Sequence, residues 1–281
     1  MVYGVYEIVF LGTGGGRFVM TAQKRRTGGL RILSNKVNAH VDPGPGALVY
    51  SLEMGLDPQR IDAILVSHSH LDHSNDTSVL IEAMTHGTTQ KRGILAASHS
   101  VLEGNDVCDA AISRYHRNLP GKVIEAKIGT SFAMNNVNVK ASKAVHADPD
   151  SVGFRFDTQD FGEFAYMPDS EYFEDVCDFY GGVRLLILSV LRPSGKPWKG
   201  HMSTDEATKI VGEVKPEMTL ITHFGMPMIL TGPEREAALI EKETRVPTVA
   251  ATDGMHLAFG KEIVTGKPEK QANLTGFLGS L

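Results

Sequence analysis

The stretch Ser67-His68-Ser69-His70-Leu71-Asp72-His73 places three histidines and one carboxylate within six residues, directly after the apolar run Ile64-Leu65-Val66. Histidine is the commonest side-chain metal ligand, and aspartate adds a harder oxygen ligand beside it. At the end of a strand the first two histidines project to one side, whereas Asp72 and His73 follow as the chain turns. This spacing favours two metal ions held side by side over one closed tetrahedral site. The alternative is a solvated histidine-rich loop.

The composition is that of an ordinary globular protein, with 42% hydrophobic and 22% charged residues in 281. We expect a single domain spanning residues 1–281, whose core needs no disulfides. Cys108 and Cys177 are far from any Cys-x-x-Cys spacing, which favours a reducing, cytoplasmic compartment and no thiolate metal site. There is no 18-residue apolar run and no charged segment before a hydrophobic start, so we expect neither a membrane span nor a secretory signal. The net charge of −5 does not indicate a polyanionic partner, and the sequence predicts no particular oligomeric state.

Strand signals occur in two series, each accompanied by helix signals. The first series covers 7–11, 31–33, 37–41, 63–66 and 93–97, and the second covers 137–145, 152–156, 163–167, 185–189 and 219–222. The best-marked helix, 203–215, begins with a capping box formed by Ser203 and Glu206 and is stopped by Pro216. This order predicts two similar halves whose sheets pack on each other, with helices outside.

Two loops close to the first and third strands allow more than one interpretation. Gly12-Thr13-Gly14-Gly15-Gly16 could cradle a phosphate group, but it lacks the G-x-G-x-x-G order and no helix signal follows it. We favour a tight turn at which backbones approach closely. Further on, Pro45 predicts the first residue of a helix ending near Gly55, with an apolar face that includes Val49 and Leu52.

Three more candidate ligands follow later strands. His146 closes the run 141–145, Asp169 follows 163–167, and His223 closes 219–222. Each residue alone is more often structural or surface-facing than a ligand. Together, in the same local context as the first cluster, they predict that loops from several strand ends meet at one site.

With this set the sequence resembles the metallo-β-lactamase superfamily, which has His-x-His-x-Asp-His after a strand and then an isolated His, an Asp and a final His. The resemblance implies an α/β fold, a four-layer αβ/βα sandwich. It also implies that His68, His70 and His146 hold one metal ion and that Asp72, His73 and His223 hold a second, with Asp169 bridging both. Asp42 matches an early aspartate that supports the metal ligands from behind.

Within the superfamily, three segments resemble the tRNase Z and cyclic-phosphodiesterase branch: Leu11-Gly12-Thr13-Gly14-Gly15, residues 201–207, and Thr222-His223-Phe224-Gly225. That branch implies attack at phosphorus, with His201 near the scissile bond. Asn75-Asp76 and Met167-Pro168 replace glycines that are common in the family. Only 23 positions separate His146 from Asp169, which leaves no room there for a long tRNA-gripping arm. A nucleic-acid substrate is therefore less favoured than a small one.

Charge indicates which reaction such a site would perform. Two divalent ions, two aspartates and a bridging hydroxide leave roughly one net positive charge, which favours an anionic ester over a neutral amide. We expect a dinuclear metal-dependent hydrolase, a phosphodiesterase in which a metal-bridging hydroxide attacks a small or nucleotide-like phosphate ester. The candidate catalytic residues are His201, as general acid, and Asp72. Zinc best fits an all-nitrogen and oxygen set, and manganese, iron or cobalt would also fit.

Three alternatives use the same ligands: a thioester or lactone hydrolase, an RNA 3′-end nuclease, and a di-iron redox protein, which would need a flavin partner domain. Several residues near His201 also have two interpretations. Glu206 either orients His201 or only caps its helix. Arg192 and Lys196 either contact a phosphate or are solvated, and Trp198 either stacks on a base or covers the core.

Overall fold

The computed structural model describes residues 5–266. The strands are β1 (Tyr6–Gly12), β2 (Thr27–Leu33), β3 (Asn38–Val41), β4 (Ala63–Val66), β5 (Ile94–Ala97), β6 (Gly104–Asn105), β7 (Cys108–Asp109), β8 (Lys122–Glu125), β9 (Ser131–Met134), β10 (Val137–Lys143), β11 (Val152–Asp157), β12 (Glu163–Met167), β13 (Leu185–Arg192), β14 (Met202–Ser203), β15 (Met218–Thr222), β16 (Thr248–Ala250), β17 (His256–Phe259) and β18 (Ile263–Gly266). The helices are α1 (Gly16–Ala22), α2 (Ala47–Glu53), α3 (Leu71–Ser74), α4 (Thr77–Met84), α5 (His99–Leu102), α6 (Arg114–Arg117), α7 (Val176–Tyr180), α8 (Thr204–Val214), α9 (Met226–Thr231) and α10 (Pro233–Thr244), with a 3₁₀ turn at Pro58–Arg60.

Two mixed sheets form the body of the protein. The strand order of the first is β18-β17-β1-β2-β3-β4-β5-β8, and that of the second is β16-β15-β13-β12-β11-β10-β9, with β14 beside β13. In the first sheet β3, β4, β5 and β8 are parallel, and in the second β12, β13, β15 and β16 are parallel. The short strands β6 and β7 pair separately as a hairpin.

The apolar strands are buried on both faces of each sheet. Because successive side chains of a strand point to opposite faces, alternate residues pack into different layers. In β4, Leu65 joins the core between the two sheets, whereas Ile64 and Val66 pack outward under α4. In β13, Ile187 faces the central core and Leu188 packs under the helices of the second sheet. Helices therefore cover the outer face of each sheet, which confirms the predicted four-layer αβ/βα sandwich. The extent of the domain, residues 1–281, stays a prediction.

Two local predictions are wrong. A helix, α1, does follow the glycine run, although Val19 is its only buried residue. Its sequence carries no amphipathic pattern, and the backbone N–H of Gly16 is instead held by Asp72. Pro45 does not begin α2, because Gly46 precedes the helix with a φ of 88°. Val49 and Leu52 are exposed in that helix, and Ala47 and Ser51 are buried in their place.

The capping box of α8 is confirmed, with Ser203 accepting from the backbone N–H of Glu206 and the Glu206 carboxylate accepting from that of Ser203. Strands β3, β4, β12 and β15 all end at one edge of the sandwich. Loops leaving the carboxyl ends of neighbouring strands converge there, which is where α/β folds commonly build sites.

Candidate metal centre

All seven predicted ligands lie together at this edge. Their donor atoms form two groups, within each of which every atom lies within 4.8 Å of the others. The first group contains His68, His70, His146 and Asp169, and the second contains Asp72, His73 and His223. This grouping matches the division into two neighbouring metal positions that the family resemblance implied, and the roles of the individual ligands stay predictions.

Within the first group, Nδ1 of His70 lies 3.1 Å from Nε2 of His68 and 3.0 Å from Nε2 of His146. Within the second group, Nε2 of His223 lies 3.0 Å from Nε2 of His73 and 3.2 Å from Oδ2 of Asp72. Ligand atoms about 2.0–2.1 Å from a shared tetrahedral ion lie roughly 3.3 Å from one another. The spacing within both groups therefore suits a small divalent cation.

Asp169 lies between the two groups. Its Oδ2 is 3.8 Å from Nε2 of His146, and its Oδ1 is 3.8 Å from Nε2 of His73. Oδ1 of Asp169 and Nδ1 of His223 are buried and 3.1 Å apart, yet neither has a hydrogen-bond partner among residues 5–266. One carboxylate thus presents an oxygen to each group, and its buried, unpaired oxygen is the kind of atom that a cation would satisfy.

Hydrogen bonds on the far side of three imidazoles fix their tautomers. Nδ1 of His73 donates to Asp42 at 2.9 Å, and Nδ1 of His146 donates to the carbonyl of Gly200 at 2.5 Å. Nδ1 of His68 donates to the hydroxyl of Ser67, which itself donates to Asp42. With the proton on Nδ1, each ring turns the lone pair of Nε2 towards the cluster. These residues therefore fit a pair of bound cations.

Sequence reasoning missed the groups that hold this support in place. Tyr166 donates to Asp42 from strand β12, and Asp148, which is buried, accepts from both the backbone N–H and the hydroxyl of Ser69. Ser69 separates His68 from His70, so Asp148 fixes the backbone that carries both histidines. Nothing in the local sequence around Tyr166 or Asp148 signals either contact.

The glycine run packs closely against the candidate metal centre. A Cβ on Gly15 would overlap the imidazole ring of His223, and the backbone N–H of Gly16 donates to Oδ2 of Asp72 at 2.7 Å. Oδ1 of Asp253 holds the loop by accepting from the N–H of Thr13. The close backbone approach that we favoured from the sequence is thus observed, and it brings the chain against two candidate ligands.

The carboxylates make the site strongly favourable for positive charge. Burial lowers the pKa of His73, but Asp72, Asp42 and Asp169 outweigh it and raise that pKa to about 10. Burial raises the pKa of Asp169, but His223, His201 and His73 hold it well below its usual range. Burial, helped by neighbouring histidines, lowers the pKa of His68 well below its usual value. The negative charge of these carboxylates, which favours a proton on His73, also favours a cation beside its Nε2.

His201 lies at the open side of the first group. Its Nδ1 is 3.2 Å from Oδ2 of Asp169, and its ring centroid is 4.8 Å from that of His146. Burial lowers the pKa of His201, but the contact with Asp169 outweighs burial and raises it. Glu206 does not orient this ring, because its carboxylate accepts from Ser203 and from the N–H of Tyr172.

The other histidines lie outside the cluster. His99, His116 and His256 pair with glutamates, and His86 is exposed. His40 is fully buried between Arg31 and the carbonyl of Gly28.

Within residues 5–266, no helix is both long enough and apolar enough to cross a membrane.

Comparison with known proteins places the whole cluster inside a described family. The beta-lactamase superfamily domain matches residues 38–224. An uncharacterized protein of Methanocaldococcus jannaschii, MJ1374, is 36% identical over 267 residues, 94% of this chain and 98% of its own. A ribonuclease Z of Methanopyrus kandleri is 28% identical over 152 residues, 53% of this chain and 49% of its own. The crystal structure of a diphosphatase of the PhnP family superposes with a TM-score of 0.65 at 19% identity, covering 93% of this chain and 99% of that one.

Proposed function

The chain belongs to the metallo-β-lactamase superfamily of hydrolases, related to the ribonuclease Z and PhnP branch, and from this premise we propose that it cleaves phosphate diesters with two divalent metal ions. The proposed substrate is a small or nucleotide-like ester. The observation that carries the proposal is the convergence of seven donor residues in two groups, with Asp169 between them and His201 against Asp169. Two of the similar proteins are named as a ribonuclease and a diphosphatase, and these names support a reaction at phosphorus.

The proposed ligands are those of the two groups, His68, His70 and His146, then Asp72, His73 and His223, with Asp169 shared. When bound, two such cations supply Lewis acidity and bring the pKa of water from about 15.7 towards 7. Zinc is our first candidate because every donor is nitrogen or oxygen, and manganese, iron and cobalt are alternatives. Two free cysteines support a cytoplasmic location.

The protein's own residues orient the substrate and move the proton. Nδ1 of His201 lies 3.2 Å from Oδ2 of Asp169, and we assign Nε2 as the nitrogen that protonates the departing oxygen. Asp42 and the carbonyl of Gly200 keep the imidazoles of His73 and His146 in fixed orientations, so the site needs little rearrangement when an anion enters. Asp72 is held by Gly16 and contributes a negative charge to the second group.

A second candidate substrate is an RNA 3′ end, which the ribonuclease Z relative favours. Between β10 and β12, however, the chain forms only β11 and its connecting turns. No arm that could grip a tRNA extends from this part of the described structure, so we place the small diester first.

The test is a substrate screen with the metal-loaded protein, using bis(p-nitrophenyl) phosphate, cyclic nucleotides, a thioester and a β-lactam. We expect diester hydrolysis, and thioester cleavage alone would refute the proposal. Iron content together with oxygen consumption would instead favour a redox protein.

Replacement of His201 tests the general acid. His201→Ala should lower kcat by about 100-fold or more for a diester with an alkoxide leaving group, and by less for p-nitrophenolate, which leaves without a proton. His99→Ala, a histidine paired with Glu125 away from the cluster, is the control. Equal losses with both leaving groups would contradict the assignment.

A further inference from the structure

The loop that leads to His201 is firmly anchored at the mouth of the metal centre. We call residues 193–201, between β13 and β14, the rim loop. The backbone N–H of Ser194 donates to Glu236, its hydroxyl donates to Asp205, and the N–H of Gly200 donates to Glu171. The carbonyl of Gly200 accepts from His146. Fixed at both ends, this loop can present side chains to a substrate without first becoming ordered.

Trp198 is the only tryptophan in the sequence, and 60% of it is exposed on this loop. It therefore does not cover the core. Trp198 and His201 form an antiparallel bridge, and the N–H of His201 donates to the carbonyl of Trp198 at 3.0 Å. Residues directly opposite each other in such a bridge project to the same face. Trp198 and His201 therefore flank one tight turn, which brings the indole close to His201 along the chain.

Arg192 backs the indole. Its guanidinium carbon lies 5.5 Å from the centre of the Trp198 ring, and its Nε donates to the carbonyl of Lys196. These two contacts fix the position of the guanidinium, which in turn supports one face of the indole. With so much of Trp198 exposed, a planar group can still stack on it.

The rim loop is also positively charged in a protein of net charge −5. Its Lys196 and Lys199 are exposed, and Arg192, the last residue of β13, lies half-buried directly before the loop. None of these three cations forms an ion pair with a carboxylate elsewhere in residues 5–266. An aromatic surface flanked by unpaired cations is the combination that proteins use to bind a base together with its phosphate backbone.

We propose that Trp198, backed by Arg192, is a stacking platform for the nucleobase of a nucleotide-type diester whose phosphate lies at the metal centre. This inference rests on the proposed function and narrows its substrate class. A nucleoside carries its base and its phosphate on different carbons of one sugar, so a platform beside His201 can engage the base while the ester is cleaved. Trp198 then determines specificity and takes no part in bond cleavage.

The kinetic test compares two diesters with the same leaving group, thymidine 5′-(p-nitrophenyl) phosphate and methyl p-nitrophenyl phosphate. In the metal-loaded protein, Trp198→Ala should lower the ratio of kcat/KM for the nucleoside ester to that for the methyl ester about tenfold, through KM. Trp198→Phe should restore most of the ratio. Tyr115→Ala, which removes an aromatic residue of similar exposure on α6, should not change it. An unchanged ratio in Trp198→Ala would overturn the platform.

Fluorescence tests the platform without any turnover, because Trp198 is the only tryptophan. AMP should quench the emission of the metal-loaded protein at lower concentration than ribose 5-phosphate does, with excitation at wavelengths that adenine does not absorb. Equal responses to the two ligands would refute base stacking even if diesters are hydrolysed. Conversely, selective quenching by AMP in a protein that cleaves no diester would support the platform and refute the proposed function.

Discussion

Asp42 accepts a hydrogen bond from Nδ1 of His73 at 2.9 Å, and both side chains are buried. The same carboxylate accepts from the hydroxyls of Ser67 and Tyr166, so one aspartate ties strands β3, β4 and β12 to a single candidate ligand. Its backbone φ is 52°, in the left-handed region that few non-glycine residues adopt. Strain of this kind persists where surrounding contacts hold it in place, and here they aim Nε2 of His73 into the cluster.

Asp42→Asn should therefore weaken metal binding in the second group. An amide cannot provide the negative charge that orients His73 and makes it a better ligand, and loss of such a partner typically lowers metal affinity about 10–100-fold. Calorimetric titration with zinc should show one of two binding events weakened. If both events keep the wild-type affinity in a folded variant, Asp42 does not support this site.

Gly15→Ala should disrupt the second group from the opposite side. The added methyl group would overlap the imidazole of His223, and the glycine loop cannot retreat because Gly16 is bonded to Asp72. We expect loss of about one equivalent of metal and most of the hydrolase activity. Gly212→Ala in helix α8 is the matched control, because its methyl group would meet only Thr244 of α10, at an ordinary 3.9 Å. This change should stabilise α8 by about 0.5–1 kcal/mol. Full metal content in Gly15→Ala would contradict the packing described.

His40 should make stability depend on pH. Burial, with the nearby charge of Arg31, lowers its pKa to about 3, whereas the unfolded chain has a value near 6.5. The unfolded state then binds the extra proton between these pH values, so this contribution to stability is complete above about pH 6.5 and is lost as pH falls towards 3. At pH 5 the loss amounts to about 2 kcal/mol.

The measurement is the free energy of unfolding of wild type and His40→Gln, both with chelator, between pH 7 and pH 5. The difference between the two proteins should change by about 2 kcal/mol over this range, since only His40 is removed from the titration. Parallel curves would show that His40 is not held neutral in the folded protein.

The sequence predicted which side chains come together in the candidate metal centre, but not which residues hold them in place. His68 to His73 are adjacent in the chain, and His146, Asp169 and His223 each follow a recognisable strand, so local pattern and family resemblance sufficed. Tyr166 lies 124 positions from Asp42, and Asp148 lies 79 positions from Ser69. Such contacts form only when the two sheets pack, and no local signal precedes them.

The errors in helix prediction have the same origin. Helix α1 has a single buried residue, and the backbone N–H of its first residue, Gly16, donates to Asp72, a contact between residues 56 positions apart. Helix α2 buries Ala47 and Ser51 because small residues allow it to lie close to the first sheet, which leaves Val49 and Leu52 exposed. Hydrophobic periodicity alone predicts the opposite face.

The most direct test of a dinuclear hydrolase is a titration of chelator-stripped protein with zinc while hydrolysis of bis(p-nitrophenyl) phosphate is followed. We predict that stripped protein is inactive, that activity rises until two equivalents are bound and then levels off, and that His70→Ala binds about one equivalent fewer and loses activity. Activity that survives complete removal of metal, or that is full in His70→Ala, would contradict the account.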